Sequence, residues 1–375
     1  MRAVDRVIEA LAAHSGQPMP WIVGEPCFEP PPELVEAFAR AVKSPTFRYP
    51  PAGGTPALRK VLAARCDEEG LTIAPNQITV TNGAKCGLLA LFSALLQPGD
   101  ELIHPQPCYP AYPAMANRIG ARPVAVAERD GSFSGWADNV ARHLSPRTRA
   151  VVLASPSNPT GATLDAAEAH SLVELCNAHG IRLIIDEAYT DFRFTGDRCA
   201  LPTDLDLNLS TVIRVRSASK SWAVCGWRLG WVITDASLAA SVADAHSSLL
   251  NPASGPAQAA LCALPEVSTN FLENARSMVA NRTDELCSAF EHAGLPFKKP
   301  EGGFYLWLKL KDFNPPRMMN TIDWCSEVAR RSGVGLWPGD DFGGTGHVRI
   351  AITAPSVAKW ETAVRGLTEV LKNTG

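Results

Sequence analysis

The chain has 375 residues, a length that suits one large domain with a second, smaller partner. Apolar residues make up 46% and charged residues 19%, a globular balance that excludes disordered and fibrous classes. The net charge of −3, with no long run of either sign, carries no electrostatic footprint for nucleic acid. The N-terminal stretch MRAVDRVIEALAAHS is charged throughout and lacks the apolar core of a secretory signal. The most apolar run, CGLLALFSALL, is too short to span a bilayer. Ten cysteines without a C-x-x-C pair read as small buried hydrophobes in a reducing, cytoplasmic setting, and the histidines show no metal-ligand spacing.

Pro-rich segments at 26–32 and 45–56 precede a region of alternating elements. Its strand candidates are QITVT (77–81), ELIH (101–104), ARPVAVA (121–127), RAVVLA (149–154), IRLIID (181–186), TVIRVR (211–216) and RLGWVIT (228–234). Amphipathic stretches such as Leu164–His179 lie between them, so the pattern predicts an α/β fold around a mainly parallel sheet covered on both faces. A helical zone, Pro256–His292, leads to strands near 304–310 and 347–352 and helices near 318–331 and 355–372. These predict a smaller α+β domain completed by the N-terminal segment. The expected division is a large domain over 41–285 and a small one over 1–40 with 286–375.

Ligand groups in open α/β sheets gather at the carboxyl ends of strands. Here QITVT leads into Asn82-Gly83-Ala84-Lys85, IRLIID ends at Asp186, and TVIRVR leads into Ser217. Ser217 stands three residues before Lys220, the Ser-x-x-Lys spacing of serine acyl-enzymes. That chemistry also needs Lys-Thr-Gly and Ser-Asp-Asn elements, which are missing: HSG (14–16) and ADN (137–139) are poor substitutes in the wrong order. The string GVGLWP (333–338) lacks the third glycine of a dinucleotide fingerprint, and no G-K-[ST] occurs.

A lysine that holds an aldehyde cofactor fits better. Pyridoxal phosphate needs a phosphate site, a partner for its ring nitrogen and donors to its phenolate oxygen. The strand–turn–helix junction at Gly83, Ala84 and Lys85 offers free backbone N–H groups to a phosphate, with Arg228 and Ser217 as further donors. An ordinary helix start capped by Asn82 is the plain alternative. Asp186, closing an apolar strand, suits a pyridinium nitrogen; capping the next helix is its plain alternative. Tyr189 and Asn158, the latter in SPSNPTG (155–161), are candidate donors to the phenolate oxygen.

These residues carry a resemblance. The chain resembles the class I/II aminotransferases of the fold-type I pyridoxal-phosphate enzymes, the aspartate and aromatic aminotransferase-like group. It does so through GEPCF (24–28), YPPAGGTPALR (49–59), TNGAKCGL (81–88), PCYPAYPAM (107–115), SNPTGAT (157–163), IIDEAY (184–189), SASKSWAVCGWRLGW (217–231), GGFYLWL (302–308) and PGDDFGGTGHVRI (338–350). The resemblance implies a large domain with a mainly parallel, mixed seven-stranded sheet between helices, plus a small α+β domain. It implies Lys220 as the Schiff-base lysine and catalytic base, carrying an internal aldimine, and Asp186 as partner of the pyridinium. It also implies Tyr189 and Asn158 at the phenolate, and Gly83, Ala84, Lys85, Ser217 and Arg228 around the phosphate. Tyr109 is expected to stack on the ring, Arg349 to bind the substrate α-carboxylate, and Gly24 and Asn158 to line the substrate pocket. Tyr49 is implied to reach the phosphate of a neighbouring subunit, hence a homodimer with shared sites. The expected reaction moves an amino group between an L-amino acid and a 2-oxo acid. The alternative is a lyase or cyclase of the same fold acting by β- or γ-elimination or replacement. An effector-binding domain of a transcription regulator would carry a DNA-binding domain ahead of the fold, and none is expected with motifs starting at Gly24. Cys27, Cys108 and Asp340–Asp341 depart from the pattern, where side-chain selectivity is set.

Overall fold

The computed structural model describes residues 2–44, 48–129, 131–194, 210–313, 320–352 and 357–372. Seven strands form the main sheet: β1 (Ile78–Thr81), β2 (Glu101–Gln106), β3 (Arg122–Ala127), β4 (Thr148–Ala154), β5 (Arg182–Asp186), β6 (Val212–Ser217) and β7 (Gly230–Ile233). Their spatial order is β1-β7-β6-β5-β4-β2-β3, all parallel except β7, which runs antiparallel to both its neighbours. This is the mixed, mainly parallel seven-stranded sheet that the alternating pattern and the resemblance predict. β5 is apolar over three buried residues because layers cover both faces of the sheet.

Most strands of the main sheet shift by one residue at a boundary from the sequence reading, and two boundaries shift by two, for identifiable reasons. β2 runs on through Pro105 to Gln106; its pairing with β4 ends at Ile103, so the missing proline N–H costs no ladder bond on that side. β7 starts at Gly230 instead of Arg228, because Arg228 adopts a left-handed conformation (φ 54°) incompatible with a strand. The helical zone divides into Gly255–Leu261 and Phe271–His292, with Pro265 in a short 3-10 turn between them.

A second, three-stranded antiparallel sheet joins Tyr305–Lys309, His347–Ala351 and the short Trp337–Pro338. Helices Thr321–Ser332 and Val357–Lys372 pack nearby; residues 318–319 and 355–356, expected within them, lie outside the described residues. One apolar cluster unites Val4, Val7 and Leu11 of the N-terminal helix Ala3–Ala12 with Leu306, Trp324, Ile350 and Trp360, so the two ends of the chain share a core. Leu34 and Ala37 of helix Pro32–Val42 instead pack into a cluster of the large sheet. Helix Phe271–His292 serves both: Leu272, Ala275 and Val279 pack toward the large sheet and the ring cluster beside it, Leu286 and Phe290 toward the smaller core.

Candidate active site

The carboxyl ends of the parallel strands open into a cavity of about 860 Å³, lined also by Trp337, Phe342 and Arg349 from the smaller unit. Of the residues expected in the site, Gly24, Ala84, Lys85, Tyr109, Asn158, Asp186, Tyr189, Ser217, Lys220, Arg228 and Arg349 all line it. Gly83 does not line it but immediately precedes Ala84, which does. Tyr49 is not brought in: its side chain is 84% exposed on this chain's surface.

Lys220 lies in the single helical turn Ala218–Ser221 directly after β6. Its Nζ donates to the Gly24 carbonyl at 2.6 Å and stands 3.7 Å from Cys225 Sγ. Among the described residues no hydrogen bond joins Lys220 to Ser217. Ser217 Oγ instead accepts from Ser219 N–H at 3.1 Å, which leaves its own hydroxyl proton to donate elsewhere. The Ser-x-x-Lys spacing is therefore not a nucleophile–base pair.

The junction after β1 differs from a routine helix start. Gly83, not Asn82, is the cap of helix Ala84–Leu95; its φ is +82° and no side chain caps the turn. A side chain on Gly83 would come within 2.5 Å of Arg228 Nη2, so glycine is what lets the guanidinium reach the helix start. Arg228 is held there by donating from Nη1 to the Cys225 carbonyl (2.8 Å). An uncapped helix N-terminus, an arginine and a serine hydroxyl converge, which is a donor set for a phosphate-like anion.

Asp186 closes β5 in full burial. Tyr112 donates its hydroxyl to Oδ2 (2.9 Å) and Ala188 its N–H to Oδ1 (3.1 Å). Burial pushes its pKa up to about 6, against the pull of these two donors. Among the described residues no salt bridge reaches it. Tyr109 meets Tyr112 edge-on at 5.6 Å and is itself pushed up to about 12 by burial.

Arg349, on the strand His347–Ala351, is 3% exposed. It donates from Nη1 to Asn158 Oδ1 (2.9 Å) and from Nη2 to the Ile22 carbonyl (2.5 Å), while Nε has no partner. Rings of Tyr305, Trp337 and Phe342 lie 4.0, 4.5 and 4.8 Å from its Cζ. No carboxylate pairs with it among the described residues, and burial draws its pKa down. A buried guanidinium with two neutral partners and three of its five N–H groups unused is fitted to receive an anion.

Two tyrosines of the site, Tyr112 and Tyr305, carry no assignment from sequence. Tyr112 stands in the first turn of helix Ala111–Arg118 and donates its N–H to the Tyr109 carbonyl (3.1 Å), a turn that brings the two rings together. Tyr305, inside the GGFYLWL string, bonds the Tyr189 hydroxyl at 2.6 Å. A side chain on Gly24 would sit 2.1 Å from the Tyr305 hydroxyl oxygen, so only glycine passes beneath that ring. Asp341 also lines the cavity. Cys27 and Cys108 do not: Cys27 packs against the Tyr189–Phe192 cluster, and the Cys108 thiol lies 3.3 Å from His104 Nδ1. Among the described residues no group of three or more His, Cys, Asp or Glu is placed to hold a metal, and no helix is long and apolar enough to cross a membrane.

The family described as "Aminotransferase class I and II" matches residues 17–367. The arginine–pyruvate transaminase of Pseudomonas aeruginosa is 33% identical over 335 residues, covering 88% of this chain and 84% of that protein. The aspartate aminotransferase of Geobacillus stearothermophilus is 32% identical over 350 residues, covering 91% and 88%. A solved structure of Thermus thermophilus aspartate aminotransferase with maleate superposes with a TM-score of 0.90 at 30% identity, covering 99% of this chain and 96% of that one.

Proposed function

Because the chain belongs to the class I and II aminotransferase family and is an aminotransferase, we propose that its cavity binds pyridoxal phosphate on Lys220 and works on L-α-amino acids and 2-oxo acids. Members of this family use that cofactor, and the residues present fit it. The uncapped turn at Gly83, Ala84 and Lys85, with Arg228 and Ser217, would hold the phosphate. Asp186 would face the ring nitrogen, Tyr109 the ring, and Tyr189 with Asn158 the phenolate oxygen. The observation that carries the reading is the pairing of a buried, cation-free Asp186 with Lys220 Nζ in one cavity. Nothing in the relatives' names favours the elimination or cyclisation alternative.

When bound, pyridoxal phosphate supplies a carbonyl that captures the amino group and a ring that accepts the electrons left at Cα. Arg349 binds the substrate α-carboxylate with its unused N–H groups and orients the Cα–H bond. Lys220 Nζ, held by the Gly24 carbonyl, would be the base that takes the Cα proton and delivers it two bonds away, on the far side of the substrate nitrogen. Gly24 and Asn158 complete the substrate wall, Asn158 by keeping Arg349 in register.

The same reading includes a homodimer in which Tyr49 completes the partner's phosphate site. The exposure of Tyr49, Leu249 and Leu250 supports it. It places the enzyme in the cytoplasm, in keeping with nine free cysteines among the described residues. It also divides the chain into a large unit (41–285) and a small one (1–40 with 286–375), with helix Pro32–Val42 packing on the large unit.

Replacing Lys220 with Ala tests the assignment. The loaded protein should lose its visible absorbance, and amino transfer should fall by about 10⁴-fold. An unchanged visible spectrum would overturn it.

A further inference from the structure

The N-terminal helix Ala3–Ala12 begins at Arg2, a cation at the end of a helix that favours anions, and Arg2 has no acceptor with which to cap it. Asp5 takes the Arg2 N–H (2.9 Å) and its guanidinium, but the next two amides need another acceptor. That acceptor comes from the far end of the chain. Ala3 N–H donates to Asp341 Oδ1 (2.9 Å) and Val4 N–H to Oδ2 (3.0 Å). Oδ2 also accepts from Trp337 Nε1 at 2.8 Å. Three other indoles, Trp21, Trp231 and Trp324, keep buried N–H groups without any partner. A carboxyl oxygen as acceptor for Trp337 is thus a special provision of the structure.

Trp337 is one of the three rings around Arg349, and Phe342, next to Asp341, is another. The 3-10 turn Gly339–Phe342 therefore brings one carboxylate, one wall of the Arg349 cage and the start of the chain together. Arg2 lines the same cavity. Among the described residues Arg349 keeps two hydrogen-bond partners, both neutral, so the ring faces contribute a large share of what fixes its plane. An indole free to turn about its side-chain torsions would present its edge as readily as its face.

We propose that Asp341 is a positioning residue for recognition of the substrate α-carboxylate: it locks the Trp337 ring against Arg349 and docks the N-terminal helix, with Arg2, onto the same pocket. This rests on the reading of Arg349 as the carboxylate site. Proton transfer at Lys220 does not depend on the lock, so the effect falls on substrate binding.

The test compares the holoenzyme acting on an α-amino acid with its action on the matching amine that lacks the carboxylate. Asp341→Ala should raise KM for the amino acid about five- to tenfold, with kcat within about twofold. It should leave kcat/KM for the amine unchanged. The Trp337 indole resonance in ¹⁵N-tryptophan-labelled protein should lose the downfield shift that a carboxylate acceptor gives it. In a Trp337→Phe background the same substitution should add less than about twofold, because no N–H remains to be held. Asp341→Asn, which keeps the shape and one acceptor, should give an intermediate KM, and serves if the Ala variant does not accumulate. Equal losses on both substrates, or full additivity with Trp337→Phe, would overturn the proposal and leave Asp341 as a helix cap alone. Arg349→Ala separates the two readings. If it fails to discriminate amino acid from amine, the carboxylate site itself is misplaced; if it discriminates and Asp341→Ala does not, only the positioning role falls.

Discussion

Asp186 and Glu187 are consecutive carboxylates, both buried, at the carboxyl end of the same strand, yet the protein completes one and leaves the other open. Burial pushes Glu187 up, but Arg214 and Arg216 outweigh it and hold its carboxyl below the ordinary range. Both of its oxygens are taken, by Arg214 Nη1 (2.5 Å) and Arg216 Nε (2.6 Å), and Arg216 reaches on to Glu69 (2.7 Å). Asp186 has the same burial and receives only a tyrosine hydroxyl and one amide, so its pKa rises to about 6. A buried charge that is fully paired holds structure together; one that is half-satisfied beside a cavity suits the cation that the proposed function assigns to it.

Substitutions can break this comparison, and the largest effect belongs to the open side. Asp186→Asn in the loaded protein should lower amino transfer by about 10³-fold, read as kcat/KM. The cofactor-free protein should respond in the opposite sense. Its Asp186 has a folded value of about 6 against an ordinary 3.8. The contribution of that carboxyl to stability is therefore present below pH 3.8 and lost as pH rises through 6. The Asn variant should consequently gain roughly 3 kcal/mol over its parent above pH 6, and nothing near pH 3.8, in urea melts. Parallel pH profiles would mean that Asp186 already has its cation. On the closed side, Glu187→Gln strands two buried arginines and should cost about 3 kcal/mol at neutral pH. Glu187 is held below its ordinary 4.5, so that penalty is present above pH 4.5 and disappears as pH falls through the lowered value. A Gln variant that melts normally but loses activity would reverse the assignment of the two carboxylates. The smallest change sharpens the contrast: Tyr112→Phe removes one donor from Asp186 and should cost about 1 kcal/mol, a roughly fivefold drop in kcat/KM, while its acid limb moves to higher pH.

What was legible in the sequence follows from the range of the interactions involved. Asp186 and Ser217 stand out because a polar residue closing an apolar run is a local signal, and the family-like strings add Lys220 and Arg349. The cap at Gly83 was not legible, because Asn82 is the better capper by residue type, and its side chain is instead drawn to the Asn251 carbonyl 169 residues away. Tyr112 and Tyr305 gain their roles from partners 74 and 116 residues away, and Asp341 from amides at the opposite end of the chain. The acidity of the PGDDFG loop was visible. Its use at Asp341, holding the N-terminal helix and an indole, required the pairing of strand His347–Ala351 with Trp337–Pro338 that brings the loop back over the site.

Helix Phe271–His292 has a further consequence. Its 22 residues form a rod about 33 Å long whose two halves are embedded in different apolar clusters. Melting either cluster alone would strip the packing from half of a continuous helix and fray the remainder, so the cheaper route is for both to go together. The helix thus couples the two clusters through packing as well as through chain connectivity, and heat unfolding should be one cooperative event, read in calorimetry as agreement of the calorimetric and van't Hoff enthalpies.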